Sequence, residues 1–136
     1  LCAEYTLSAE DYAFIEKVFQ AVGRVVVLPE RMFDGVIAVC GSSPAYLYMM
    51  LEAMGDGAVR EGIPLKTAYE LAAQAMLGCA KMVLETGAHP GALKDAVCSP
   101  AGTTIEGVAA LERAGFRSAV LEAMAACADK SREMSK

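Results

Sequence analysis

No G-x-G-x-x-G follows a strand anywhere in these 136 residues, so the chain carries no recognisable dinucleotide fingerprint. No Lys/Arg stripe runs along any helix, and 12 basic residues against 17 acidic ones leave a net charge of −5, which disfavours nucleic acid as a partner. No C-x-x-C occurs. The five cysteines, Cys2, Cys40, Cys79, Cys98 and Cys127, are odd in number and far apart, a poor basis for a metal site or a disulfide framework. Reduced, buried thiols in a cytoplasmic protein fit them better. No run of eighteen apolar residues occurs either. The longest is broken by Gln74 and stopped by Lys81, so no membrane span is expected. A basic region followed by a long apolar one is missing at the start, so no signal peptide is expected. No carboxylates are paired: Asp56, Glu61, Glu106 and Glu112 read as helix-surface groups. His89, the single histidine, has no evident nucleophile or carboxylate set against it and reads as a cap for a short helix.

Hydrophobic residues, by contrast, make up 55 % of the chain and charged ones only 21 %. That balance rules out disorder. It also implies more apolar surface than one small domain hides, so a partner chain is expected. The pattern begins abruptly at Leu1, as in a piece of a longer protein. Ser8 to Val22 has helical apolar spacing through Tyr12, Ile15, Val18, Phe19 and Val22, with Ser8 as its cap and Gly23 at its end. "RVVVLPE", 24 to 30, is the one convincing strand, and nothing in the sequence offers it a partner. Helices follow over about 31–39, 43–61 (Ser43 as cap, Pro44 at the first position), 65–86, 90–97, 104–114 and 117–133, punctuated by Gly62, Pro64, Gly87 and Gly115. "LAAQAMLGCA", 71 to 80, is apolar nearly all round, so something must cover it. The helix from 43 to 61 carries Met49, Met50 and Met54 beside Ala53, Gly55 and Gly57, small residues that let another helix come close. Together the two point to an interlocked helical dimer.

"CSPAGTTIEG", 98 to 107, admits two readings. In one, Ser99-Pro100 makes a turn and Thr103 caps the next helix, with Glu106 completing a capping box. In the other, the free N–H groups and positive dipole end of that helix bind a carboxylate or phosphate. Gly102 then allows close backbone approach, and Ser99, Thr103 and Thr104 add hydroxyl donors.

Three segments carry a resemblance: "CGSSPAYLYMMLEAMGDGAVREGIP", "AAQAMLGCAKMVLETGAHPGALKD" and "VCSPAGTTIEGVAALERAGFRSAVLEAM". In order, they look like the C-terminal domain of the pyrroline-5-carboxylate reductase family, and "LSAEDYAFIEKVFQAVGRVVVLPE" resembles the last helix and strand of that family's nucleotide-binding domain. The S-P-x-G-T-T-I signature is specific. The resemblance implies a mainly α fold. Residues 1–30 would be the remnant of a Rossmann-type nucleotide-binding domain, leaving one helix and one strand, and residues 31–136 the helical dimerisation and substrate-binding domain. It implies NAD(P)H-dependent reduction of 1-pyrroline-5-carboxylate to L-proline, the last step of proline biosynthesis. NADPH or NADH would be bound by the N-terminal domain, so this chain alone is expected to be inactive. The implied partners are the small substrate and a second copy in a homodimer, with higher assembly open. No nucleic acid or membrane is implied. Ser99, Gly102, Thr103 and Thr104 would bind the substrate, its carboxylate held by backbone N–H groups and the Ser99 hydroxyl. Thr104, the catalytic candidate, would contact the ring nitrogen. The family usually has glycine where Ser43 and Ala101 stand and often Thr or Ser where Cys98 stands. If the loop needs a positive φ, Ala101 restricts it. The rival readings are a stand-alone dimerisation module without catalysis and the helical domain of another imine or 2-hydroxyacid reductase.

Overall fold

The computed structural model of the chain describes residues 1–2 and 6–135. It is mainly helical and divides into two compact units. One comprises residues 1–42 together with 124–136, the other residues 43–123.

The first unit opens on α1, Ala9–Gln20. Ser8 caps it as its sequence suggests. The Oγ accepts from the Asp11 N–H at 3.1 Å and donates to the Asp11 carboxylate at 2.6 Å, so side chain and backbone lock the first turn reciprocally. The expected strand over 24–30 is corrected. The segment makes a single parallel bridge, Cys2 to Leu28, instead of a strand. The Leu28 N–H donates to the Leu1 carbonyl at 2.9 Å, and the Leu1 amino group donates to the Val26 carbonyl at 2.7 Å. A ladder needs successive bonds to a neighbour of similar length. Among the described residues only Leu1 and Cys2 lie alongside, and Pro29 has no N–H with which to continue. The run therefore has a neighbour within its own chain, and the pairing is parallel.

Helical turns then run from Glu30, but not as the plain helix expected over 31–39. A 3₁₀ turn, Glu30–Met32, leads into α2, Phe33–Val36, and then a π turn, Ile37–Gly41. The Ser42 N–H reaches back five residues to the Ile37 carbonyl at 2.8 Å, which widens the turn by one residue. The unit is completed by the last residues of α7, Phe116–Met134. There Ser131 Oγ donates to Asp34 Oδ1 at 2.5 Å, and Ala38 and Ala128 are buried.

The second unit is built on two long helices, α3 (Ser43–Arg60) and α4 (Leu65–Thr86). The expected cap at Ser43 is shifted, since Ser43 is already the first helical residue. The two helices pack at a point where a Cβ on Gly55 would stand 2.3 Å from Tyr69 Cε1, so only glycine fits beneath that ring. α4 ends as expected on Gly87, whose φ of 65° lets its N–H close on the Val83 carbonyl at 3.1 Å. Then come α5, Pro90–Ala96, α6, Thr103–Arg113, and the first part of α7. Tyr46 donates its hydroxyl to the Ala123 carbonyl at 3.5 Å.

Among the described residues, the buried ones of both units are small: Ala38 and Ala128 in the first, Gly55, Ala68 and Ala72 in the second. Among the described residues no large side chain is fully buried. Met49 is 67 % exposed, Leu71 58 % and Leu77 61 %. The expectation that α4 must be covered from outside the unit therefore meets a helix whose apolar surface its own unit leaves open. The helical stretch Glu30–Arg60 is also long and apolar enough to cross a membrane by length and composition, with 6 % of its most apolar window buried. The sequence hid this because Ser42, Ser43 and Pro44 interrupt the apolar pattern without interrupting the helical turns.

Candidate functional site

α5 leads into the loop of interest. His89 is its N-cap, as its sequence suggests: Nδ1 accepts the Gly91 N–H at 3.0 Å. The helix unwinds through Val97 N–H to the Lys94 carbonyl and Cys98 N–H to the Asp95 carbonyl, at 3.2 and 3.1 Å. Lys94 donates to Asp95, and that carboxylate, by hydrogen bond and by charge, holds the Lys94 ammonium above its ordinary pKa.

The next four residues form a tight turn. Gly102 N–H donates to the Ser99 carbonyl at 3.0 Å. Pro100 stands at the second position, where its fixed φ is favoured. Ala101, third, has φ 55°, the one positive φ outside glycine among the described residues. This is the pattern of a type II turn, whose third residue is ordinarily glycine. A Cβ on Gly102 would sit 3.1 Å from the Ser99 carbonyl oxygen and 3.3 Å from Ser99 Cβ.

The turn sets where α6 begins and so corrects the expected capping box. Gly102, at φ −83° and ψ 169°, is the N-cap, and Thr103 is the first helical residue. From that position the Thr103 hydroxyl does not reach the third helical N–H, and Glu106 falls one residue beyond its place in the box. Among the described residues no side chain caps α6. Since Gly102 N–H is taken by the turn, the N–H groups of Thr103, Thr104 and Ile105 are left at the positive end of an 11-residue helix without an intrahelical acceptor. Ser99, Thr103 and Thr104 are exposed. None of their hydroxyls is hydrogen-bonded among the described residues. Thus one turn and the first helical residues bring together Ser99, Gly102, Thr103 and Thr104. The arrangement can bind an anion through backbone N–H groups and two or more hydroxyls, with Glu106 the one acidic side chain in the first turn of α6.

Two cavities lie elsewhere. The first unit holds an apolar groove of about 980 Å³ lined by Phe19, Val25, Phe33, Val36, Met124 and Ala128 among others. Among the described residues its lining is almost wholly apolar, with Arg24 the one charged side chain. The second unit holds a smaller cavity of about 380 Å³ where His89, Gly91, Lys94, Val108, Glu112 and Arg117 meet. Arg117 is already paired with Glu112 at 2.6 Å, and Lys94 with Asp95. The sequence reading missed this second cavity; the pairing of residues from α5, α6 and the start of α7 has no signature at fixed spacing.

Comparison with known proteins follows the same outline. Residues 30–134 match a family model described as pyrroline-5-carboxylate reductase dimerisation. A pyrroline-5-carboxylate reductase of Escherichia coli is 55 % identical over 130 residues, covering 96 % of this chain and 48 % of that protein. One from Methanosarcina acetivorans is 50 % identical over 127 residues, covering 93 % and 47 %. The chain spans about half the length of the curated relatives it matches. Among solved structures, a pyrroline-5-carboxylate reductase from Coxiella burnetii superposes with a TM-score of 0.90 at 32 % identity, over 99 % of this chain and 50 % of that one. A Plasmodium falciparum pyrroline carboxylate reductase with NADP bound gives 0.89 at 28 % identity, over 98 % and 51 %.

Proposed function

The chain belongs to the pyrroline-5-carboxylate reductase dimerisation family, and from that premise we propose that the intact protein reduces 1-pyrroline-5-carboxylate to L-proline at the expense of NADPH or NADH. The observation that carries this is the uncapped start of α6 behind the Ser99–Gly102 turn. The substrate carboxylate docks on the N–H groups of Thr103 and Thr104 and on the Ser99 hydroxyl. The substrate ring then lies against the Thr104 hydroxyl. As the imine carbon accepts hydride, its nitrogen takes a proton, and a hydroxyl donor beside that nitrogen lowers the barrier. The chain's own residues do not make a dinucleotide site, since no Gly-rich phosphate cradle follows a strand. The reduced nicotinamide supplies the hydride. This chain binds the carboxylate and sets the ring.

We divide the chain accordingly. Residues 1–30 are the end of a Rossmann-type nucleotide-binding domain. In support, the parallel Cys2–Leu28 bridge joins segments separated by α1, and parallel pairing across a helix is how such sheets are built. Residues 31–136 are the dimerisation and substrate-binding domain. The partner is a second copy of the chain, and the exposed apolar residues of α3 and α4 meet it. We favour that cover over a bilayer for Glu30–Arg60, because the family model named for dimerisation takes in the whole stretch. A cytoplasmic location goes with this reading, although the cysteines are not the buried thiols expected: Cys40 and Cys79 are exposed and Cys2, Cys98 and Cys127 half-buried.

The test is steady-state kinetics on the intact protein. Thr104→Ala should lower kcat/KM about ten-fold or more with an unchanged melt, because a donor aimed at the reacting nitrogen acts mainly in the transition state. Ser99→Ala should chiefly raise KM, since a carboxylate contact is shared by ground and transition states. Wild-type kcat/KM in Thr104→Ala would overturn the catalytic assignment.

A further inference from the structure

We propose that Ala101 is a positioning residue, and that its left-handed backbone conformation sets the affinity of the loop for the substrate carboxylate. The proposal rests on the carboxylate site described above.

The observation is a local conflict. Ala101 holds φ 55°, a region that alanine enters only at a cost, because its Cβ crowds the neighbouring carbonyl. Nothing about the Ala101 side chain repays this, since the residue is exposed. The conformation is imposed from both sides. Pro100 fixes the preceding φ. On the other side, the Gly102 N–H is held by the Ser99 carbonyl at 3.0 Å, so close that even a methyl group on Gly102 would meet that oxygen at 3.1 Å. Strain held in place by its surroundings is a reason to look for the function it serves.

The geometry identifies that function. If Ala101 relaxed to negative φ, the Gly102–Ser99 bond would open. Ser99 would then move relative to the first turn of α6, and the two parts of the carboxylate site would lose their register. Ser99 supplies a hydroxyl on one side of the turn, and Thr103 and Thr104 supply N–H groups on the other. The strained residue between them is what sets their spacing. The fraction of loops with Ala101 left-handed is therefore the fraction ready to bind, and the apparent affinity scales with it.

The test varies conformational preference and size separately. Asparagine is larger than alanine but tolerates the left-handed region, whereas valine is β-branched and avoids it. In the intact protein, with 1-pyrroline-5-carboxylate varied at saturating NADPH, Ala101→Val should raise KM about ten-fold or more. Its kcat at saturating substrate should stay within about two-fold of wild type, because bound substrate selects the ready loop. Ala101→Asn and Ala101→Gly should keep KM at or below the wild-type value. Wild-type KM in Ala101→Val would overturn the proposal. So would an equal rise in Ala101→Asn and Ala101→Val, which would make size the cause, or a fall in kcat alone. Should Ala101→Val fold poorly, the comparison of Asn with Gly still decides: a ten-fold higher KM in Ala101→Asn overturns the proposal, and matching values support it. Failure of the carboxylate site itself is read separately, from Ser99→Ala and Thr104→Ala. If both keep wild-type kinetics, the site is misplaced whatever Ala101 does.

Discussion

At residue scale, one position decides between helix cap and ligand site. Thr103 reads as a cap in the sequence and is the first helical residue in the structure. Its replacement by alanine should therefore cost no more than an ordinary surface change, within about 0.5 kcal/mol. A loss nearer 1 kcal/mol, the usual value of a cap, would restore the capping reading. Thermal melts of Thr103→Ala beside wild type measure this directly. Gly55 is a position of another kind, where packing decides. Its missing Cβ is the space the Tyr69 ring occupies, so Gly55→Ala should destabilise by about 1–3 kcal/mol, as overpacking does. In the double variant with Tyr69→Ala, that cost should largely vanish, because the atom met by the new methyl is gone. Additive losses in a denaturant-melt cycle would disprove the contact.

At the scale of elements, the helices were legible because their punctuation is chemical. Ser8 before Asp11, Pro64 before Leu65, Gly87 after Thr86 and Gly115 before Phe116 each mark an end through a cap, a missing N–H or a positive φ. That Ser99, Gly102, Thr103 and Thr104 fall on one turn and the helix start after it was also legible, because they are consecutive or nearly so. Other features were not. The π turn at 37–41 depends on a bond one residue longer than the helical period, which side-chain periodicity does not encode. The run at 24–30 has strand composition, but a strand is a relation to a neighbour, and composition does not supply one. The cap of α6 moved by one residue because the preceding turn, closed by the Gly102–Ser99 bond, fixed the entry of the chain. His89 offers a test at this scale. His89→Ala removes the acceptor for Gly91 N–H and should destabilise by about 1 kcal/mol, while His89→Asn, which keeps a capping oxygen, should recover most of it. Equal melts for the two variants would show that the ring matters for packing rather than for its nitrogen.

At the scale of the whole molecule, the deciding fact is how little of the chain is buried by itself. Fully burying a leucine or a valine is worth about 1.5–3 kcal/mol, and Leu71, Leu77 and their neighbours leave that unrealised in the single chain. We expect a dimer at micromolar concentration in sedimentation equilibrium, and a stable monomer would contradict it. Gly78→Leu is the sharper probe. Nothing lies within 4 Å of a Cβ built there, so the added side chain has room in the single chain. If a partner helix packs over that point, the variant should shift dissociation to higher concentration, by about 1–3 kcal/mol of overpacking. An unchanged dimer would move the interface off that face of α4.

The open start of α6 has one more consequence, visible to hydrogen exchange. The amides of Thr103, Thr104 and Ile105 have no intrahelical acceptor, so they should trade their protons with solvent far faster than the amides that follow them in the helix. An isotope label would thus enter α6 as a sharp boundary, bright for three residues and dark beyond. A bound carboxylate would darken Thr103 and Thr104 and leave the rest of the helix as it was.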